Sequence, residues 1–295
     1  MFHSVHVRFD KPLCRNIVLA ATVVLALGPS VAMAQSGQDI VLAPHRAVYE
    51  IELAETRGGS SISNMTGRMV YELTGSSCAG YTQSMRFVTR VSSQEGSPTI
   101  SDLRSSSWED VLAKSFRFSS TQYKDSKLED TTDGDAKRED PKGDIKVEIT
   151  KPAKKEISLK RNTYFPVQHS MALLEAARQG ERTFAADLYD GSEKGEKVYS
   201  TMSFIGIPNA PGYNKTLKPV ENTGQLDKLK SWPVSISYFE LGADHKDSLP
   251  SYELAFLYFE NGISRQLFID YGDFSVRGNL KSLTMLEPQR CQPVR

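Results

Sequence analysis

The chain has 295 residues, of which 39% are hydrophobic, and its 36 Lys+Arg are matched by 36 Asp+Glu. A formal net charge of zero gives no support to nucleic-acid binding or to electrostatic attachment to anionic lipid, since both depend on an excess of cations. With 3 cysteines and no Cys-x-x-Cys, a thioredoxin-like redox motif and a paired-cysteine zinc site are also excluded.

The N-terminus reads as an export signal. Arg8, Lys11 and Arg15 precede an apolar and small-residue run from Ile17 to Leu27, and Ala32-Met33-Ala34 supplies the small-x-small pattern of a cleavage signal. Cleavage is expected after Ala34. The apolar run is about half of the roughly 20 residues that a bilayer-spanning helix needs, which argues against a retained anchor. Cys14 lies before that run, whereas a lipoprotein needs its cysteine after it. Residues 1–34 carry Arg8, Lys11, Arg15 and Asp10, so the remaining 35–295 hold 33 Lys+Arg against 35 Asp+Glu. A soluble periplasmic protein built as one β domain is expected. Export leaves only Cys78 and Cys291 in an oxidising compartment, and these are expected to be bonded to each other, the alternative being two unpaired thiols. Closing a loop of roughly 200 residues would restrict the unfolded chain by about 5 kcal/mol in the chain-entropy model.

From His45 the chain reads as strand after strand. His45–Leu53 alternates in steps of two, Arg57-Gly58-Gly59-Ser60 turns it, and Met69–Leu73 ends the return strand. In Gly80–Val91 the mostly apolar set Tyr81, Gln83, Met85, Phe87 and Thr89 faces away from Thr82, Ser84, Arg86, Val88 and Arg90. Leu103–Trp108 and Ser115–Tyr123 continue the pattern. Between Asp125 and Asp144 the composition shifts to charged residues and Gly, which predicts a solvated hairpin tip or turn. Asp133, Asp135 and Asp140 lack the spacing and terminal Glu of a calcium loop, so no metal is expected there. Ile145–Ile149 and Lys155–Lys160 are short amphipathic strands.

Residues 166–179 form the one convincing helix, with Pro166 in its first turn and Gly180 as its left-handed stop. Val167, Met171 and Leu174 make an apolar stripe, Leu173, Ala172, Ala176 and Ala177 widen it, and only Gln168, Glu175 and Gln179 form a polar strip. A helix this apolar is enclosed on more than one side, so it is expected to sit in the concave face of a curved sheet. Thr183–Tyr189 and Glu196–Ile205 form the next strand pair. The irregular stretch from Gly206 to about Ser231 is long enough to be weighed as a binding loop. Val234–Leu241, Ser251–Phe259, Ile263–Tyr271 and Ser275–Leu286 complete the strands, with Asn261-Gly262 compatible with a type I′ turn. The fold class is therefore mainly β and antiparallel, with one helix.

Catalytic motifs are absent from this pattern. His45, His169 and His245 are the histidines beyond the signal, and none stands in a His-Glu-x-x-His or His-x-His arrangement. His169 alone is weighed for a role, against the reading of a core histidine bonded to a backbone carbonyl. Gly75-Ser76-Ser77-Cys78-Ala79 begins like a nucleophile elbow but ends in Ala and lies between two strands. Gly191-Ser192-Glu193-Lys194-Gly195 lacks the Walker spacing. No catalytic residue, cofactor or metal is predicted.

Taken together, His45-Arg46-Ala47-Val48-Tyr49, Phe165-Pro166-Val167-Gln168-His169, Tyr271-Gly272-Asp273-Phe274 and Cys291 resemble the cell-envelope integrity protein EipB family of alphaproteobacteria. The resemblance implies a periplasmic open barrel or β-spiral with an associated helix, and a disulfide at the positions of Cys78 and Cys291. It further implies a part in envelope integrity and a link to a periplasmic tetratricopeptide-repeat protein, with no reaction to transfer. The expectation is a non-enzymatic protein that binds a protein partner or an envelope component. The rival is a carrier in the manner of LolA-like open barrels, sheltering a lipid or lipoprotein acyl chain in an apolar interior.

Overall fold

The computed structural model describes residues 40–58, 60–94, 96–138, 143–241 and 249–291. The export signal expected over 1–34, with Asp140 and His245, lies outside the described residues. Period-2 alternation carries most of the rest into strands: β1 (His45–Thr56), β2 (Ile62–Ser76), β3 (Gly80–Ser93), β4 (Thr99–Glu109), β5 (Ser115–Lys124), β6 (Lys127–Lys137), β7 (Ile145–Lys151) and β8 (Lys155–Leu159). Helix α1 (Pro166–Gln179) follows. The remaining strands are β9 (Thr183–Leu188), β10 (Tyr199–Ile205), β11 (Ser231–Glu240), β12 (Tyr252–Phe259), β13 (Ser264–Asp270) and β14 (Phe274–Met285).

All 14 strands belong to one antiparallel sheet in the order β8-β7-β6-β5-β4-β3-β2-β1-β14-β13-β12-β11-β10-β9. Strand β1 pairs with both β2 and β14, so the first and last strands meet mid-sheet and β8 and β9 become its two edges. The sheet is open, as expected, and α1 is the link from one edge to the other. Near that seam Tyr164 bridges to Leu188, Tyr164 N–H donating to Asp187 O at 2.7 Å and Tyr189 N–H to Tyr164 O at 2.9 Å.

Three apolar clusters line the inner face. In the first, Val167, Leu173, Leu174 and Ala177 of α1 pack against Leu188, Trp232, Val234 and Ile236, which places the helix in the concave face. In the second, β1, β13 and β14 gather around Leu226 and Ile263, both fully buried. The third joins Phe116, Phe118, Ile145, Val147 and Phe165 to Tyr189 across the seam. Here Phe118 is cradled by glycines. A Cβ on Gly134 of β6 or on Gly191 of the β9–β10 loop would lie 2.5 or 2.4 Å from its ring, so only glycine lets that loop close onto β5.

The structure corrects three local expectations. Residues 127–137 are not a hairpin tip but strand β6, paired on both sides. Asp133, Asp135 and Lys137 point outward into water while Thr132 and Ala136 are buried, so the ladder satisfies the backbone without burying a charge. The actual tip is Asp125–Ser126, both left-handed at φ 49° and 67°. At Asn261-Gly262 only the glycine is left-handed (φ 86°), whereas a type I′ turn needs both residues so. The 206–231 stretch is a plug rather than a free loop. It contains short 3-10 turns at Tyr213–Thr216 and Gly224–Lys228, and Leu217, Val220, Leu226 and Leu229 pack into the second cluster. Buried Arg265 holds it, donating to Lys218 O at 2.8 Å and to Asn214 Oδ1.

Candidate functional site

The three clusters leave a cleft between the β2–β6 wall and the β10–β13 wall, with a volume of about 870 Å³. Alternation decides what each strand shows it. From β2, β3, β12 and β13 come Met69, Met85, Phe87, Leu254 and Ile269, while β4 and β5 contribute Ser105, Ser107, Ser120 and Gln122. The apolar side chains therefore come from both walls, and most of the serine hydroxyls from β4 and β5. On the β10–β13 wall Tyr252 stacks on Tyr238 at 4.3 Å between ring centroids, with Tyr199 edge-on to both at 5.9 Å. Among the described residues the charged lining is Glu129, Asp130, Asp190 and Glu193 with one cation, Lys194, so this lining is acidic. Burial raises the Asp190 carboxyl above its ordinary pKa, while the Ser192 N–H, donating to its Oδ1 at 2.9 Å, opposes that.

Helix α1 sets one boundary of this space through a residue that the sequence reading missed. Its N-cap, Phe165, has no side-chain acceptor, and the free N–H groups of Val167 and Gln168 instead donate to Glu109 Oε2 and Oε1 at 2.8 and 2.9 Å. Glu109 is the last residue of β4, turned inward and 2% exposed. Burial pushes its pKa up to about 7, against the pull of those two N–H donors. No local motif could have revealed it, because a cap supplied from 58 residues away leaves no spacing signature.

His169 is buried, 4% exposed, and sits 3.2 Å from Thr201 Oγ1 through Nε2. The Thr201 hydroxyl donates its one hydrogen to Ala186 O at 2.8 Å, so it accepts from His169, and Nε2 carries the proton. The partner is a hydroxyl rather than the backbone carbonyl anticipated from sequence. Burial lowers the His169 pKa to about 4, which keeps the ring neutral. Neither residue lines the cleft, so the pair orients the helix against β10 and has no access to a bound molecule. His45 is likewise a core residue, 1% exposed, with Nδ1 2.7 Å from Ala43 O.

Cys78 and Cys291 are bonded, with Cα atoms 5.7 Å apart, tying the β2–β3 turn to the segment after β14. Ser76 accepts from Ala79 N–H at 3.3 Å and serves that turn. Gly191–Gly195 forms part of the cleft wall and the Phe118 cradle. Among the described residues, no group of three or more His, Cys, Asp or Glu is placed to hold a metal ion, and no helix is long and apolar enough to cross a membrane.

The model of the EipB-like family matches residues 36–287. The chain belongs to the EipB-like family. Its similarity to the Cell envelope integrity protein EipB of Brucella abortus (strain 2308) is 38% identity over 254 residues, covering 86% of this chain and 88% of that protein. A crystal structure of a beta-barrel-like protein of the DUF1849 domain from Brucella abortus superposes with a TM-score of 0.75 at 38% identity, covering 83% of this chain and 99% of the other. EipB-like membership thus agrees with the open antiparallel sheet and its single helix.

Proposed function

We propose that this chain supports the integrity of the cell envelope by holding an envelope component in its cleft, without turning it over, and that it does so in the periplasm after removal of residues 1–34. The relative named for envelope integrity supports the first part. The cleft carries the second. A space of about 870 Å³ lies in the size range of small-molecule sites, and its lining suits an amphiphile, with apolar side chains from both walls and serine hydroxyls mostly from β4 and β5. His169, the residue weighed above for a chemical role, is enclosed outside that space. The acidic lining favours an uncharged or cationic ligand over a phosphate or a free carboxylate.

The carrier reading has an observation of its own. Met69, Met85 and Phe87 on one wall and Leu254 and Ile269 on the other give apolar surface against which an acyl chain would bury its methylenes at about 0.8 kcal/mol each. Both readings are tested by native mass spectrometry of protein gently extracted from its own compartment. A bound mass is expected, on a chain that begins at Gln35. Filling the cleft with Ser105→Trp and Ser120→Trp should remove that mass and leave a strain lacking the protein sensitive to detergent, where the unaltered chain restores resistance. A persistently bare wild-type protein, or full restoration by the filled variant, overturns the cleft as the working site.

A further inference from the structure

The inner face of β2–β5 belongs to the cleft, and the outer face of the same strands has different chemistry. Arg68, Arg86, Arg90, Arg104 and Arg117 all point outward and are exposed, against two outward acids on these strands, Glu72 and Asp102. The register packs them together. Arg86 lies directly opposite Arg104, Arg68 opposite Val88, and Arg90 two residues beyond Val88. Like charges facing each other across a ladder destabilise a sheet. Asp102 relieves part of this by bonding both guanidiniums, Arg86 Nη2 at 2.9 Å and Arg104 Nη2 at 2.7 Å. Arg68 is only loosely paired, 3.7 Å from Glu50, and Arg90 has no ion-pair partner among the described residues. Two aromatic rings share the face, with Arg104 over Tyr123 at 5.1 Å and Arg117 over Trp108 at 5.2 Å. The next strand, β6, ends the patch, because its Asp133 and Asp135 are matched by Lys151 and Lys137.

We propose that this outer face of β2–β5 docks the protein on a bilayer surface rich in anionic lipid. Five guanidiniums in rows, with Val70, Val88, Tyr123 and Trp108 between them, present the mixture of phosphate-binding cations and interfacial aromatics that suits a headgroup layer. Mobile headgroups can move to meet guanidiniums fixed at strand spacing, whereas a rigid acidic partner would have to match them carboxylate by carboxylate. The net charge of the chain hides this surface, since it averages an arginine-rich outside with an acidic cleft. The proposal stands on a different surface from the cleft and does not depend on what the cleft holds.

The test is co-sedimentation of the full mature protein with vesicles of phosphatidylcholine alone or mixed with phosphatidylglycerol. Binding is expected only to the mixed vesicles at low ionic strength, with release at about 0.5 M salt, where screening is nearly complete. Arg68→Gln with Arg90→Gln leaves the Asp102 pairs intact and should weaken partitioning about fivefold per arginine, or about 25-fold together. Arg68→Lys with Arg90→Lys should bind nearly as wild type. Lys215→Gln with Lys228→Gln removes the same charge from the exposed plug and should leave binding unchanged, which separates the patch from net charge. Equal binding to neutral vesicles, no binding at low salt, or wild-type binding by the double Gln variant overturns the proposal. Displacement from vesicles by polyglutamate at equal charge would assign the face to an acidic protein instead.

Discussion

Met85 and Arg86 are neighbours in the chain and end on opposite sides of the sheet, one lining the cleft and the other on the arginine-rich exterior. Strand β4 shows the same division in its carboxylates. Glu109 faces inward, where burial raises its pKa to about 7, while Asp102 faces outward, where hydrogen bonds from Arg86 and Arg104 lower it to about 2. Seven residues apart on one strand, two acids are shifted in opposite directions because one has lost water and the other has gained cations. The pleat alone sorts them. A chain with no net charge has thereby gathered arginines on the outer face of β2–β5, while the inner face of the same strands lines the cleft.

Substitutions of adjacent residues should break this comparison most severely on the inside. Phe118→Ala empties the glycine cradle between β5, β6 and the β9–β10 loop and should cost about 3–5 kcal/mol in urea unfolding. Arg117→Ala, one residue away on the outer face, loses the contact with Trp108 and a cation opposite Asp135, both at the surface, and should cost about 1 kcal/mol or less. Similar losses for the two would mean that the faces are not energetically distinct.

The pH dependence of stability sharpens the comparison next. Glu109 has a folded pKa raised from 4.5 to about 7, so the folded state binds more protons in that window, and its contribution falls as pH rises through it. His169 has a folded pKa lowered from 6.5 to about 4, so its contribution rises with pH over that range. Each is worth about 3 kcal/mol by the size of its shift, and between pH 4.5 and 6.5 they oppose each other. Glu109→Gln should leave the His169 contribution unopposed, giving a protein whose stability climbs from pH 4 to 6.5 more steeply than wild type. Parallel profiles for the two proteins would remove Glu109 from the account.

The smallest effect belongs outside. Asp102 has its pKa lowered from 3.8 to about 2, so its stabilisation is present above pH 3.8 and is lost as pH falls through 2. The arginines that it bonds are more than half exposed, and solvent screening reduces the gain to about 1 kcal/mol. Asp102→Asn should lower stability by about that amount at neutral pH and flatten the acid limb of the profile below pH 4, read by thermal unfolding.

Much of this architecture was legible residue by residue. The alternation in His45–Leu53 and Gly80–Val91, Pro166 and Gly180 bounding the helix, and the helix's nearly all-round apolar surface pointed to an antiparallel sheet around one helix, because these are local periodicities. Strand β6 was not legible, since Thr131-Thr132-Asp133-Gly134-Asp135-Ala136 has too little apolar content to mark an inner face. It is a strand because β5 and β7 flank it and its charged side chains reach water. The 206–231 plug escaped notice for a related reason, since Asn214 and Lys218 meet Arg265 only once β13 is in place.

The sequence by itself determined which residues alternate, where the helix starts and stops, and that Cys78 and Cys291 remain if residues 1–34 are removed. Only the tertiary structure decided that β8 and β9 would be the free edges, that Glu109 would cap a helix 58 residues away, and that five arginines would share one face. The physical reason is one of range. A pleat period or a helix cap is set by neighbours along the chain, whereas a cleft and a charged surface are made by register between strands distant in sequence.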